Sequence, residues 1–102
     1  MTPRVVTIVD TVIEPDREQL LLDGFRDLNQ AAKPPGLLRS ELLRGQNGAW
    51  RIQSVWQDRE ALIAVRQSGE PPAMLALLDR LGAEHSHAVF AVEQSYEAAN
   101  PT

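Results

Sequence analysis

The chain has 102 residues, a net charge of −4 and no cysteine. Acids and bases are interspersed, so no basic stripe exists to displace phosphate counterions, which argues against a nucleic-acid partner. Without cysteine there is no disulfide framework, thiolate metal site or thiol nucleophile, and no stretch is long enough to span a bilayer or shaped like a signal peptide. A cytoplasmic chain with no membrane association is expected, forming one domain over residues 1–102 with its core at about 4–96 and a small, polar, flexible C-terminal tail.

Arg4 to Ile13 is rich in Val, Ile and Thr and predicts a first strand. Val5, Thr7, Val9, Thr11 and Ile13 share one face; Val6, Ile8, Asp10 and Val12 share the other. Both faces are largely apolar, so both are expected to be covered. Pro15-Asp16 opens a helix, with Asp16 as N-cap and Gln19 completing a capping-box pattern. Leu21, Phe25, Leu28 and Ala32 form its apolar stripe, and Pro34-Pro35-Gly36 ends it.

Two strand-like runs follow, at about 37–44 and 49–56, joined through Asn47-Gly48, a dipeptide that accepts positive φ and closes a tight hairpin. The second run puts Trp50, Ile52, Ser54 and Trp56 on one face, and Ala49, Arg51, Gln53 and Val55 on the other. Two Trp on one face need a cover, so helices are expected over that side. Asp58 caps a short helix to about Gln67, with Leu62 and Val65 inward, and Ser68-Gly69-Glu70-Pro71-Pro72 breaks it. A third helix spans about 71–81 with Met74, Leu77, Leu78 and Leu81 at helical spacing, and Gly82 stops it. His85 to Tyr96 reads as the last strand, with His85, His87, Val89 and Ala91 on one face and Ala88, Phe90 and Val92 on the other.

The order strand, helix, strand, strand, helices, strand predicts a ferredoxin-like α+β fold, a βαββαβ antiparallel sheet with helices on one face. The uncovered face would then be apolar. Burying it against a second copy at about 25 cal/mol per Å2 is favourable, so a two-fold homodimer joined sheet to sheet is expected.

The first strand, Pro15-Asp16, Pro35-Gly36-Leu37-Leu38, Gly48-Ala49-Trp50-Arg51-Ile52 and Trp56-Gln57-Asp58-Arg59-Glu60-Ala61-Leu62 together resemble the antibiotic biosynthesis monooxygenase family, over about residues 4–96. The resemblance implies a dimeric α+β barrel with a cavity between helices and sheet in each subunit. It also implies oxidation of small aromatic substrates, anthrones and quinols, by O2 with no metal, flavin or other cofactor; the alternative reading is a non-catalytic small-molecule-binding or structural homodimer module of the same fold. The substrate, as carbanion or phenolate, supplies the electron to oxygen. A haem-degrading branch of this family uses an Asn on the first strand, a Trp ending the third and a His in the helical region. Trp56 matches that Trp, but there is no Asn between Arg4 and Ile13 and no His between Gln57 and Glu84.

The candidate residues carry two readings each. Trp56 either walls a cavity and holds a planar substrate, through its ring or its indole N–H, or staples sheet to helix. Trp50 is either a second substrate contact or plain core. His85 and His87, two apart on one strand face, can hold a metal only with further ligands the sequence does not offer; one of them can serve as a general base. Arg66 either binds a substrate enolate or carboxylate, or pairs with Glu70 at its helix C-terminus. Phe25, Met74, Tyr96 and Asn29 are candidate cavity lining. Asp10, alone on an apolar face, is expected to pair with Arg39, Arg44 or Arg51 of either copy.

Overall fold

Four strands pair antiparallel in the order β2-β3-β1-β4 in a computed structural model that describes residues 3–68 and 73–98. They are β1 (Val5–Val12), β2 (Leu37–Arg44), β3 (Ala49–Trp56) and β4 (His85–Ala91). The helices are α1 (Glu18–Gln30), α2 (Arg59–Gln67) and α3 (Ala73–Arg80). This is the predicted ferredoxin-like architecture. The β-branched β1 sits at the centre, where its two apolar faces are best used. Among the described residues no helix is long and apolar enough to cross a membrane.

The β2–β3 hairpin has the predicted bounds. Asn47 and Gly48 take φ of 56° and 80°, and the Ala49 N–H donates to the Gln46 carbonyl at 3.1 Å, closing a two-residue turn. The Ile13 N–H donates to the Gly48 carbonyl at 2.9 Å, tying the hairpin tip to the end of β1. A bulge lies between Leu37, opposite Trp56, and Arg39, opposite Val55.

Register assigns every strand residue to a face. Toward the helices run four complete rows: Leu37–Trp56–Val5–Ala91, Ser40–Ser54–Thr7–Val89, Leu42–Ile52–Val9–His87 and Arg44–Trp50–Thr11–His85. On the open face run Arg39–Val55–Val6–Phe90, Glu41–Gln53–Ile8–Ala88 and Leu43–Arg51–Asp10–Ser86. The main core joins Trp50, Ile52 and Ile13 to Leu21 of α1 and to Leu77, Leu78 and Leu81 in and beyond α3. A second cluster joins Val5 and Trp56 to Leu62 of α2. Asp58 accepts from the Ala61 N–H at 2.8 Å, the predicted cap of α2.

Three boundaries differ from the sequence reading. Asp16 caps no helix: Pro15–Arg17 forms a 3-10 turn, and α1 starts at Glu18 with no side-chain cap. Arg17 instead donates to the Leu81 carbonyl at 3.0 Å, and the Gln19 amide donates to Asp23 at 2.9 Å. Ala32 falls beyond α1, because the chain is already extended at Ala31, ahead of the Pro34-Pro35 pair that disfavours helix before it. β4 ends at Ala91, not Tyr96, because its partner runs out: Ala91 lies opposite Val5, and the last bond is Val92 N–H to the Arg4 carbonyl at 2.9 Å. The Gly69–Pro72 break and the Pro71–Pro72 start of α3 lie outside the described residues, as does the end of the tail from Ala99.

Gly36 shows why Pro35-Gly36 stands where it does. Its φ is +87°, its carbonyl accepts from the Gln57 N–H at 2.7 Å, and an added Cβ would stand 2.4 Å from the Ala61 Cβ. Gly36→Ala is expected to cost at least the ~1–2 kcal/mol of a left-handed residue, which lowers the melting midpoint by roughly 4–16 °C. A thermal melt by circular dichroism checks it; an unchanged midpoint would show that this loop tolerates a side chain.

On the open face, Arg51 grips Asp10 with two hydrogen bonds of 2.7 and 3.0 Å, settling which of the three arginines pairs with it within the chain. The hydrogen bond from Arg51, followed by its charge, lowers the Asp10 pKa below 3.8 despite some desolvation. A depressed carboxylate stabilises the fold above its unfolded value, and that contribution disappears as pH falls through the folded value. Titrating the Asp10 carboxyl by NMR is expected to give a midpoint below 3.8 that rises in Arg51→Gln.

Candidate functional site

The helix-side rows make the floor of a cavity of about 320 Å3, within the range of small-molecule sites. Its floor carries Ile52, Val9 and Trp56 with three hydroxyls, Thr7, Ser40 and Ser54. Ser40 and Ser54 are hydrogen-bonded at 3.0 Å, and the Trp56 indole N–H donates to the Thr7 hydroxyl at 3.1 Å. Phe25, Leu28 and Asn29 of α1, Leu62, Val65 and Arg66 of α2, and Ala73, Met74 and Leu75 of α3 form the roof and walls.

The charge in this lining is one-sided. Lys33 and Arg66 border the cavity, and no Asp or Glu stands among the described residues that line it. In a chain of net charge −4 this is a local reversal of sign. The Lys33 ammonium is held by the Asn29 and Ala31 carbonyls at the end of α1. Arg66 is exposed and makes no hydrogen bond or ion pair among the described residues; Glu70, its predicted partner, lies outside them. A guanidinium with no partner among the described residues, beside a largely apolar cavity, suits an anion on a planar ligand.

His87 lines the cavity from β4, opposite Val9. His85, two residues back on the same face, lies instead in a larger, more open groove of about 950 Å3 at the end of the sheet, with Arg17, Glu14 and Glu84. The two rings are nonetheless joined. Nδ1 of His85 and Nε2 of His87 are 2.7 Å apart, and Nε2 of His85 is 3.0 Å from an Asp79 carboxylate oxygen. The end of α3 passes over the start of β4 and brings Asp79 there. Among the described residues no group of three His, Cys, Asp or Glu side chains could hold a metal ion, and the facing imidazole nitrogens are engaged with each other.

Of the residues predicted for the site, the structure gathers His87, Arg66, Trp56, Phe25, Met74 and Asn29 around this cavity. Trp56 is 7% exposed, and its N–H is already used by Thr7, so its ring, not its N–H, is what it can offer a ligand. Trp50 does not reach the cavity: it is 4% exposed in the main core, with the Arg44 guanidinium 4.4 Å from its ring centroid. Tyr96 is 89% exposed beyond the end of β4 and lines neither space. Thr7, Ser40, Ser54 and Asp79 are absent from the residues predicted for the site. The first three carry a readable signal, as hydroxyls on otherwise apolar helix-facing strand positions; Asp79 carries none.

The family model described as antibiotic biosynthesis monooxygenase matches residues 4–89. The fold is similar to that of SnoaB, a cofactor-independent oxygenase from Streptomyces nogalater, with a TM-score of 0.64 at 21% identity over 92% of this chain and 97% of that one. It is similar also to a haem-degrading protein from Mycobacterium tuberculosis, with a TM-score of 0.72 at 23% identity over 96% and 100% of the two chains. A conserved protein from Methanosarcina mazei shares it at 9% identity, TM-score 0.68, over 87% and 92%. At such identities the likeness carries the backbone architecture and no residue's role. Among curated proteins no sequence matches this chain.

Proposed function

Because this chain belongs to the antibiotic biosynthesis monooxygenase family, we propose that it is a cofactor-independent monooxygenase of small hydroquinone- or anthrone-type aromatics. The observation that carries this reading is the cavity: a floor of apolar side chains and three hydroxyls, a basic border with no carboxylate among the described residues, and one imidazole on its wall. In the proposed reaction His87 removes a proton from the acidic position of the bound ring. Arg66 stabilises the resulting anion, and the Trp56 ring sets the plane in which the substrate lies. The electron-rich anion passes one electron to O2, and the two radicals combine to a peroxide anion at the same carbon, which takes up a proton from water to become the hydroperoxide. Loss of water then leaves a carbonyl. A ring CH2 and O2 thus become C=O and H2O, one oxygen atom going to each product.

The similarity to a haem-degrading protein does not redirect this reading. β1 has no Asn, and the imidazole on the cavity wall comes from β4 and is tied to His85, not from the helical region.

Oxygen uptake by chelator-treated protein over a panel of anthrones and hydroquinones tests the reaction. Uptake matched one-to-one by quinone formation is expected. No uptake beyond buffer across the panel would overturn the monooxygenase reading.

The same reading includes a homodimer joined through the open sheet face. Its support is the apolar row Val55–Val6–Phe90 and the exposure of Phe90 (55%), Val12 (66%) and Leu43 (39%) on one face. Light scattering at micromolar concentration is expected to give twice the chain mass, and Phe90→Glu to give the chain mass. A wild-type monomer would overturn the dimer.

A further inference from the structure

We propose that Asp79 and His85 are positioning residues that fix the tautomer of His87 and lead its proton out of the cavity to the surface. The inference rests on His87 as the base, and it adds two residues that do not themselves line the cavity.

Hydrogen-bond capacity settles the direction of the chain. An ionised carboxylate only accepts, so at 3.0 Å from Asp79 the Nε2 of His85 carries the hydrogen. A neutral imidazole has one donor and one acceptor, so Nδ1 of His85 is then an acceptor. At 2.7 Å from it, Nε2 of His87 must be the donor. The only tautomer left to His87 has a lone pair on Nδ1, which has no hydrogen-bond partner among the described residues. That is the state a general base requires, on a ring in the cavity wall.

The same chain has an exit. When Nδ1 of His87 takes a proton, the Nε2 proton of His87 can pass to Nδ1 of His85, and the Nε2 proton of His85 to Asp79. Asp79 is 70% exposed and hands the proton to water. One proton leaves the substrate and one enters solvent. Both rings are left protonated on Nδ1, and proton exchange with water after product release restores them. The start of β4 is held for this: Thr11, opposite His85 and 5% exposed, donates to the Glu84 carbonyl at 2.6 Å.

The test is NMR on the full chain labelled with 15N-histidine, chelator-treated and held above the imidazole titration range. A coupling across the hydrogen bond between Nδ1 of His85 and Nε2 of His87 is expected in the wild type and in Asp79→Glu, and a weakened one in Asp79→Ala. With an oxidisable anthrone at saturation, Asp79→Ala and His85→Asn are expected to lower kcat about 10-fold or more, because a histidine base held in the wrong tautomer loses its lone pair toward the substrate, with KM nearly unchanged. Absence of the coupling while oxygen uptake persists would overturn the chain and leave the oxygenase reading standing. The coupling without any oxygen uptake would support the fixed tautomer and overturn the oxygenase reading. Wild-type kcat in both variants would overturn the positioning role.

Discussion

Replacing His87 by alanine is expected to reduce kcat for anthrone or hydroquinone oxidation by ~10²–10⁴-fold, the usual worth of a positioned general base, with far less change in KM. The binding surface survives the substitution, because the floor residues Ile52 and Val9 and the hydroxyls of Thr7, Ser40 and Ser54 do not depend on the imidazole. Steady-state oxygen consumption at saturating substrate measures the effect, and a fluorescence or absorbance titration under anaerobic conditions measures binding separately. His87→Asn removes the base while keeping a polar side chain, and is expected to fall with His87→Ala. If both variants turn over at the wild-type rate, the proton leaves by another route and His87 is only a wall. His87 is exposed at the cavity edge, so neither change removes core packing.

Trp56→Ala is expected to destabilise the fold by ~3–5 kcal/mol, the cost of emptying a buried aromatic site. For a domain near this size that corresponds to a melting midpoint lower by roughly 12–40 °C. Trp56 is the largest member of the cluster with Val5 and Leu62, and that cluster holds α2 on the sheet. The substitution also leaves the Thr7 hydroxyl without its donor. Total stabilities run at only about 5–15 kcal/mol, so the variant would sit close to unfolding. Trp56→Phe separates packing from substrate contact. It keeps most of the ring and is expected to fold with a smaller loss, while substrate affinity falls with the reduced stacking area. Urea unfolding of both variants, beside anaerobic binding of a hydroquinone to the Phe variant, checks the pair. A Trp56→Ala protein as stable as the wild type would show that the second cluster does not anchor α2.

Both expectations turn on residues that the sequence already exposed, and for an identifiable reason. Strand side chains alternate with period two, so the parity of Trp50, Ile52, Ser54 and Trp56, and of His85, His87 and Val89, is legible in the order of residues alone. The Asn47-Gly48 turn then sets the register of β2 on β3, and with it the hydroxyl pair Ser40–Ser54. The Asp58 cap and the Leu62–Val65 stripe are equally local. Local chemistry misleads where it has a competitor. Asp16 is well placed for a cap, yet the chain makes a 3-10 turn there and Arg17 reaches across to Leu81.

Parity names a face but not what lies over it, and that is the division between the two levels here. Trp50 and Trp56 point the same way from one strand, about 20 Å apart; α1 and α3 seal the first into the core, while the second borders an open volume. His85 and His87 share a face, yet only His87 lines the cavity, because the end of α3 brings Asp79 over His85. Tyr96 lies outside β4 because the pairing with β1 ends where Ala91 meets Val5, the first residue of that strand. Strand, turn and cap depend on neighbours a few residues away, which a sequence displays in order. The basic border, the imidazole chain and the cavity itself depend on contacts between residues far apart along the chain, and only packing in three dimensions selects them.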